Sequence, residues 1–198
     1  MSKRPQDMPS GPVRDYDEIR KYIQPGMVAF FSGNTDGWKS VTNYVEWRIK
    51  NLQHPPHECT HVGLIDVVHG RRVLIEAVPP AVRLSPLSAS LGHVLCPDGR
   101  FTRKYDGRVY IGEFDGCNGV AAADRAWENL LLPYDYKDIA AMRLGKERMD
   151  SSRYICSELV SDALSAGGVL LNKPHRGWVY TPADLILDKK CTVLWRVK

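Results

Sequence analysis

No run of about eighteen apolar residues occurs anywhere in the chain, so no segment reads as a membrane-spanning helix. No apolar stretch follows the polar, proline-containing first residues. A secretory leader is therefore not expected, and a cytoplasmic setting is the default, with a phage-associated or otherwise exported protein as the alternative. No Cys-x-x-Cys pair is present, and the cysteines, Cys59, Cys96, Cys117, Cys156 and Cys191, are odd in number and widely spaced. That pattern argues against a disulfide scaffold, and reduced thiols are the expectation. Glycine-rich phosphate loops are missing: Gly33 and Gly37 fit neither a P-loop nor a dinucleotide fingerprint. Lys and Arg form no stripe interleaved with aromatics, and a net charge of +4 is mild, so no nucleic-acid partner is expected.

The chain of 198 residues is 43% hydrophobic and 25% charged, which suits one soluble domain with a sizeable core. Pro5, Pro9 and Pro12 lie among polar residues, so 1–14 reads as a flexible arm and 15–198 as a single domain. A short helix is expected over 15–23 and a buried strand over Met27–Phe31. Trp38, Val41, Val45, Ile49 and Leu52 share a helical face. Thr60–Val68 and Val73–Val78 are strongly β-branched and flank His69-Gly70-Arg71-Arg72, which predicts a β-hairpin. Residues 79–107 are irregular, either a functional lid or loop, or a segment that hides a strand near Ala81–Leu84. A strand follows over Arg108–Phe114, a helix over Val120–Leu132 stopped by Pro133, and a short helix over Asp138–Leu144. Thr181-Pro182-Ala183-Asp184 is a helix start, with Thr as N-cap and Pro first in the helix. Cys191–Val197 reads as a closing strand. Helices and strands mix without regular β-α-β alternation, so the fold class is α+β.

One stretch carries chemistry on its own. Residues 150–168 predict a helix with Cys156 in or just after its first turn; Ser151 and Ser152 are N-cap types, and Gly167-Gly168 end it. Ile155, Leu159 and Ala163 give a core-facing stripe. A thiol at a helix N-terminus meets unpaired N–H donors and the positive end of the dipole, which favour the nucleophilic thiolate. A small buried core cysteine has the same local pattern. A reactive thiol needs a base and a group that orients the base. Of the six histidines, His61 opens an apolar strand, which holds a base more rigidly than a loop does. Glu76 lies on the expected partner strand among Leu74, Ile75, Ala77 and Val78, where a carboxylate facing the core needs a partner. The other pattern open at this point is that His61 caps the strand and Glu76 faces water. His54, His57, Cys59 and His61 are metal-ligand types at short spacing, but Pro55 and Pro56 stiffen the loop and no second ligand pair exists, so no metal or other cofactor is expected.

In chain order, Thr60-His61-Val62-Gly63-Leu64-Ile65, then Ile75-Glu76-Ala77, then Tyr154-Ile155-Cys156-Ser157-Glu158-Leu159-Val160 resemble the permuted NlpC/P60 papain-like superfamily. The group they are most similar to is the YiiX/YebB-like (DUF830) cysteine hydrolases. Ile23-Gln24-Pro25-Gly26, Pro133-Tyr134-Asp135-Tyr136 and Tyr180–Leu185 add to the set, which spans roughly residues 20–190. The resemblance implies a circularly permuted papain-like fold, with the His strand ahead of the Cys helix. It implies Cys156 as nucleophile, His61 as base and Glu76 as orienting group, with the Cys156 N–H helping to hold the oxyanion. Met27 stands where relatives often carry Asp. The expected activity is cysteine peptidase or amidase hydrolysis of a peptide, peptidoglycan above all, through a thioacyl intermediate. One alternative is a thioesterase or acyltransferase on lipid or acyl-protein, with Trp38, Trp47 and Trp178 as apolar walls. Another is a non-catalytic module that keeps the fold. Tyr154 and Tyr134 are candidate substrate contacts, or else buried aromatics with their hydroxyls tied to backbone.

Overall fold

The computed structural model describes residues 12–32, 58–95, 101–105, 107–137, 152–172 and 179–197. A seven-stranded sheet runs in the order β1-β9-β8-β2-β3-β4-β5, antiparallel except where β1 (Val13–Arg14) joins β9 (Cys191–Val197) in parallel. Val13 and Arg14, which composition places in the arm, thus belong to the sheet. After β1 come α1 (Tyr16–Ile19) and a 3-10 turn, then β2 (Val28–Ser32), all five residues of it buried. The hairpin is present as β3 (Cys59–Val68) and β4 (Arg71–Val78). Its turn residues His69 and Gly70 both have positive φ, 48° and 77°, which matches the twist of the strands they join.

The irregular segment resolves into β5 (Ala81–Pro86), α2 (Leu87–Ser90) and the pair β6 (His93–Leu95) and β7 (Phe101–Lys104). The hidden strand is therefore real and two residues longer than the pattern suggests. Next are β8 (Val109–Phe114), α3 (Gly119–Glu128), α4 (Cys156–Ala166) and α5 (Pro182–Ile186). The helix expected to run to Leu132 stops four residues short. The chain leaves it to pair with β5 instead: Leu131 N–H donates to Val82 O, and Val82 N–H donates to Leu132 O, both at 2.9 Å. The helices expected over 38–52 and 138–144 lie outside the described residues.

Alternation on the strands feeds two cores. On one side Val28, Phe30, Val62, Leu64, Ile75 and Ala77 pack against the buried faces of α3, α4 and α5. On the other, Ala29, Phe31, Ile65 and Leu74 pack with Ile19, Ile23 and Leu87. The start of β2 meets the start of α3 backbone to backbone: a Cβ on Gly26 would stand 2.3 Å from Gly119 Cα, and one on Gly119 2.0 Å from Pro25 O. None of the described helices is long and apolar enough to cross a membrane.

Candidate active site

His61, the candidate base, is the third residue of β3. The pairing of β3 with β2 slips between Phe31 and Ser32: Phe31 lies opposite His61, but Ser32 lies opposite Cys59. Thr60 is the extra residue of this bulge, and such a slip re-aims the side chain beside it. The Phe31 ring then packs on the imidazole, centroids 5.6 Å apart.

The carboxylate comes from β4. Leu64 pairs with Ile75. In that frame Gly63 faces Glu76 and His61 stands two residues on, so His61 and Glu76 are diagonal neighbours on one side of the sheet. Gly63 places no side chain between them. His61 Nε2 and Glu76 Oε2 are 2.7 Å apart, with the side chains 17% and 7% exposed.

The thiol comes from the other half of the chain. Before α4, Tyr154 forms a bridge with Tyr134: Tyr154 N–H donates to Pro133 O, and Asp135 N–H to Tyr154 O, both at 3.1 Å. Residues up to Ile155 are held extended, so the helix begins later than the serines suggest. Ile155 occupies the N-cap, Cys156 is the first helical residue, and Ser151 lies outside the described residues. The Glu158 carboxylate accepts from the Ile155 N–H at 3.1 Å and adds negative charge at the positive helix end. The N–H groups of Cys156 and Ser157 belong to the first turn, which has no intrahelical acceptors for them. The Ile155, Leu159 and Ala163 stripe is fully buried, as its spacing requires.

These elements converge on one ring. His61 is within electrostatic reach of both Cys156 and Glu76. With Nε2 taken by Glu76, Nδ1 is the ring nitrogen left over. Burial disfavours a charged imidazole here, but the hydrogen bonds and negative charges of Cys156 and Glu76 outweigh it and raise the His61 pKa from 6.5 to about 10. Burial would likewise raise the Glu76 pKa, yet the bond to His61, the charges of His61 and Arg83, and the bond from Ser85 bring it below its usual value. Glu76 is thus a carboxylate and His61 an imidazolium at neutral pH. Cys59, also buried nearby, differs: burial first and the Cys156 charge second push its thiol well above the ordinary range.

Tyr154 and Tyr134 belong to the same helix-side core as Cys156, 6% and 3% exposed. The Tyr154 hydroxyl donates to Asp162 at 3.0 Å. Tyr134 packs edge-on to Tyr136. Ser85, Ser90 and Arg83 were not singled out by sequence, although Arg83 and Ser85 alternate onto the Glu76 side of β5. Extending the Ala81–Leu84 strand by two residues is the signal that reveals Ser85. Among the described residues no group of three or more His, Cys, Asp or Glu is placed to hold a metal ion. His54 and His57 lie outside them, as do Trp38, Trp47 and Trp178.

An α+β protein with a mostly antiparallel sheet packed with helices, and with a histidine–glutamate pair on neighbouring strands, is the class this architecture defines. Among solved structures the chain is similar to the protein yiiX from Escherichia coli O157:H7, described as a metalloprotein and as DUF1105. The TM-score is 0.59 at 17% identity, over 86% of this chain and 95% of that one. No family model matches the chain, and no curated protein sequence matches it.

Proposed function

We propose that this chain is a cysteine hydrolase that cleaves an amide bond through a thioacyl intermediate. In this reading the fold is a circularly permuted papain-like one, with the base-bearing hairpin ahead of the nucleophile helix. The observation that carries the proposal is the His61–Glu76 pair at 2.7 Å, with the buried Cys156 at the start of α4 acting electrostatically on the same imidazole. The Cys156 thiolate attacks the substrate carbonyl carbon, and the charge that develops on oxygen meets the backbone N–H groups of Cys156 and Ser157 at the positive end of α4. The His61 imidazolium gives its proton to the leaving amine as the C–N bond breaks, leaving a thioester on Cys156. Neutral His61 then takes a proton from water, whose oxygen attacks the thioester and releases the acid. Glu76 fixes the tautomer and plane of the ring throughout. The substrate class, a peptide of the peptidoglycan type, follows from the families that the motifs resemble.

The test is turnover of peptidoglycan fragments and synthetic peptides by the wild type, Cys156→Ala and His61→Ala, with mass spectrometry for an acyl adduct on Cys156. Each variant should lose about 10³-fold or more in kcat. Undiminished hydrolysis by either variant overturns the mechanism.

A further inference from the structure

Behind the carboxylate stands a second polar layer that the chemistry above leaves unused. Glu76 pairs with Arg83 and Leu74 with Ser85, so Ser85 is a diagonal neighbour of Glu76 on the same side of the sheet. Ser85 Oγ donates to Glu76 Oε1 at 3.0 Å, and Ser90 Oγ, on α2, lies 2.8 Å from Ser85 Oγ. Both serines are buried, 2% and 8% exposed.

The direction of these bonds follows from the proton count. A serine hydroxyl has one proton to donate, and an ionised carboxylate has none. Ser85 therefore donates to Glu76, and the bond between the serines uses the proton of Ser90. The chain runs Ser90 to Ser85 to Glu76, while His61 donates to Glu76 from the opposite side. Each carboxylate oxygen then has its own donor: Oε2 from His61 and Oε1 from Ser85. A carboxylate held at both oxygens cannot swing about its terminal torsion, which is otherwise a broad well. Its plane, and with it the plane of the imidazole, is set by β5 and α2 as much as by β4.

We infer that Ser85, backed by Ser90, is a positioning residue that keeps Glu76 ionised and aligned behind His61. Its consequence for turnover rests on the triad reading above; its effect on His61 does not. The groups facing His61 are Glu76 from β4 and Cys156 from α4, with Cys59 two residues back on its own strand. Arg83 from β5 faces Glu76. All of these stay in place when a serine hydroxyl is removed, so a change in His61 reports the serine relay.

The experiment is a ¹⁵N NMR titration of the histidine imidazoles in the full chain, comparing wild type with Ser85→Ala, Ser85→Thr and Ser90→Ala, and thermal melts of each. His61 is expected to titrate near its raised value in the wild type. It should titrate at least about tenfold more readily, one pH unit lower, in Ser85→Ala. Ser90→Ala should move it less in the same direction, and Ser85→Thr, which keeps the hydroxyl, should return it towards wild type. A purely structural serine would lower the melting temperature and leave the His61 titration where it was, and that result overturns the inference. If Ser85→Ala does not fold, the other two variants decide the matter. Wild-type His61 titrating near 6.5 would remove the triad reading itself; a high wild-type value unmoved in the serine variants removes only the serine relay.

Discussion

His61 Nε2 and Glu76 Oε2 meet at 2.7 Å with both side chains largely withdrawn from water, and this contact governs how stability responds to pH. His61 binds its proton more tightly folded than unfolded, about 10 against 6.5. Its contribution is full below 6.5 and is lost as pH rises to about 10. Glu76 is shifted the other way, below 4.5, so its contribution is present above 4.5 and is lost as pH falls through its lowered value. Chemical unfolding at a series of pH values should show maximal stability between about pH 5 and 6.5, then a decline towards pH 10. Glu76→Gln should flatten that alkaline decline and cost about 1–3 kcal/mol at pH 6. An identical slope in the variant would mean that the pair does not form.

Thiol chemistry should be selective. With iodoacetamide at neutral pH and low molar excess, followed by peptide mapping, Cys156 is expected to be modified ahead of Cys59, Cys117 and Cys191. Burial raises all three of those thiols, Cys191 to about 12 with Asp188 adding to the effect. His61→Ala should slow the Cys156 reaction about tenfold or more while leaving the others unchanged. Preferential labelling of Cys59 would contradict the site geometry.

Tyr154 is committed to the scaffold. Its hydroxyl shares Asp162 Oδ2 with Arg125 Nε at 2.8 Å and Asn129 Nδ2 at 3.2 Å, a junction that ties α4 to α3. Tyr154→Phe should therefore cost about 0.5–1.5 kcal/mol of stability and leave KM unchanged. A KM rise without a stability loss would show that the hydroxyl meets substrate.

The two-glycine contact should be intolerant of even a methyl group. Gly119→Ala must push against the carbonyl oxygen of Pro25 and is expected to destabilise by about 3 kcal/mol or more in urea unfolding. Gly92, whose added Cβ would meet nothing within 4 Å, is the control, and Gly92→Ala should fall within about 0.5 kcal/mol of wild type.

The elements whose patterns are local were legible from residues alone. The β3–β4 hairpin announced itself by two β-branched runs and a turn, and α5 by Thr181 and Asp184, which exchange backbone bonds at 3.1 and 2.8 Å. What was not legible depended on distant partners. The true start of α4 is set by a bridge to Tyr134, which the serines at 151 and 152 do not reveal. The end of α3 is set by pairing with Val82. Ser85 and Ser90 looked like loop residues because their partner, Glu76, is reached only once β5 is docked. His61 and Glu76 could be placed on neighbouring strands in cross-strand or diagonal reach, but which of the two holds is set by the Leu64–Ile75 register of the hairpin, and the bulge at Thr60 on the other side of β3 is announced by no composition rule.

The two parts of the site differ in how far apart they lie along the chain. His61 and Glu76 belong to one hairpin, 15 residues apart, while the thiol arrives from the far half of the chain. Hairpins close in microseconds, whereas contacts across a whole domain come later. During refolding His61 and Glu76 should therefore be brought together before Cys156 reaches them. Cys156 should gain its enhanced reactivity only in the last, cooperative phase, when α4 docks. A chain still emerging or misfolded would then carry an unactivated thiol, and the fold itself would time the onset of chemistry.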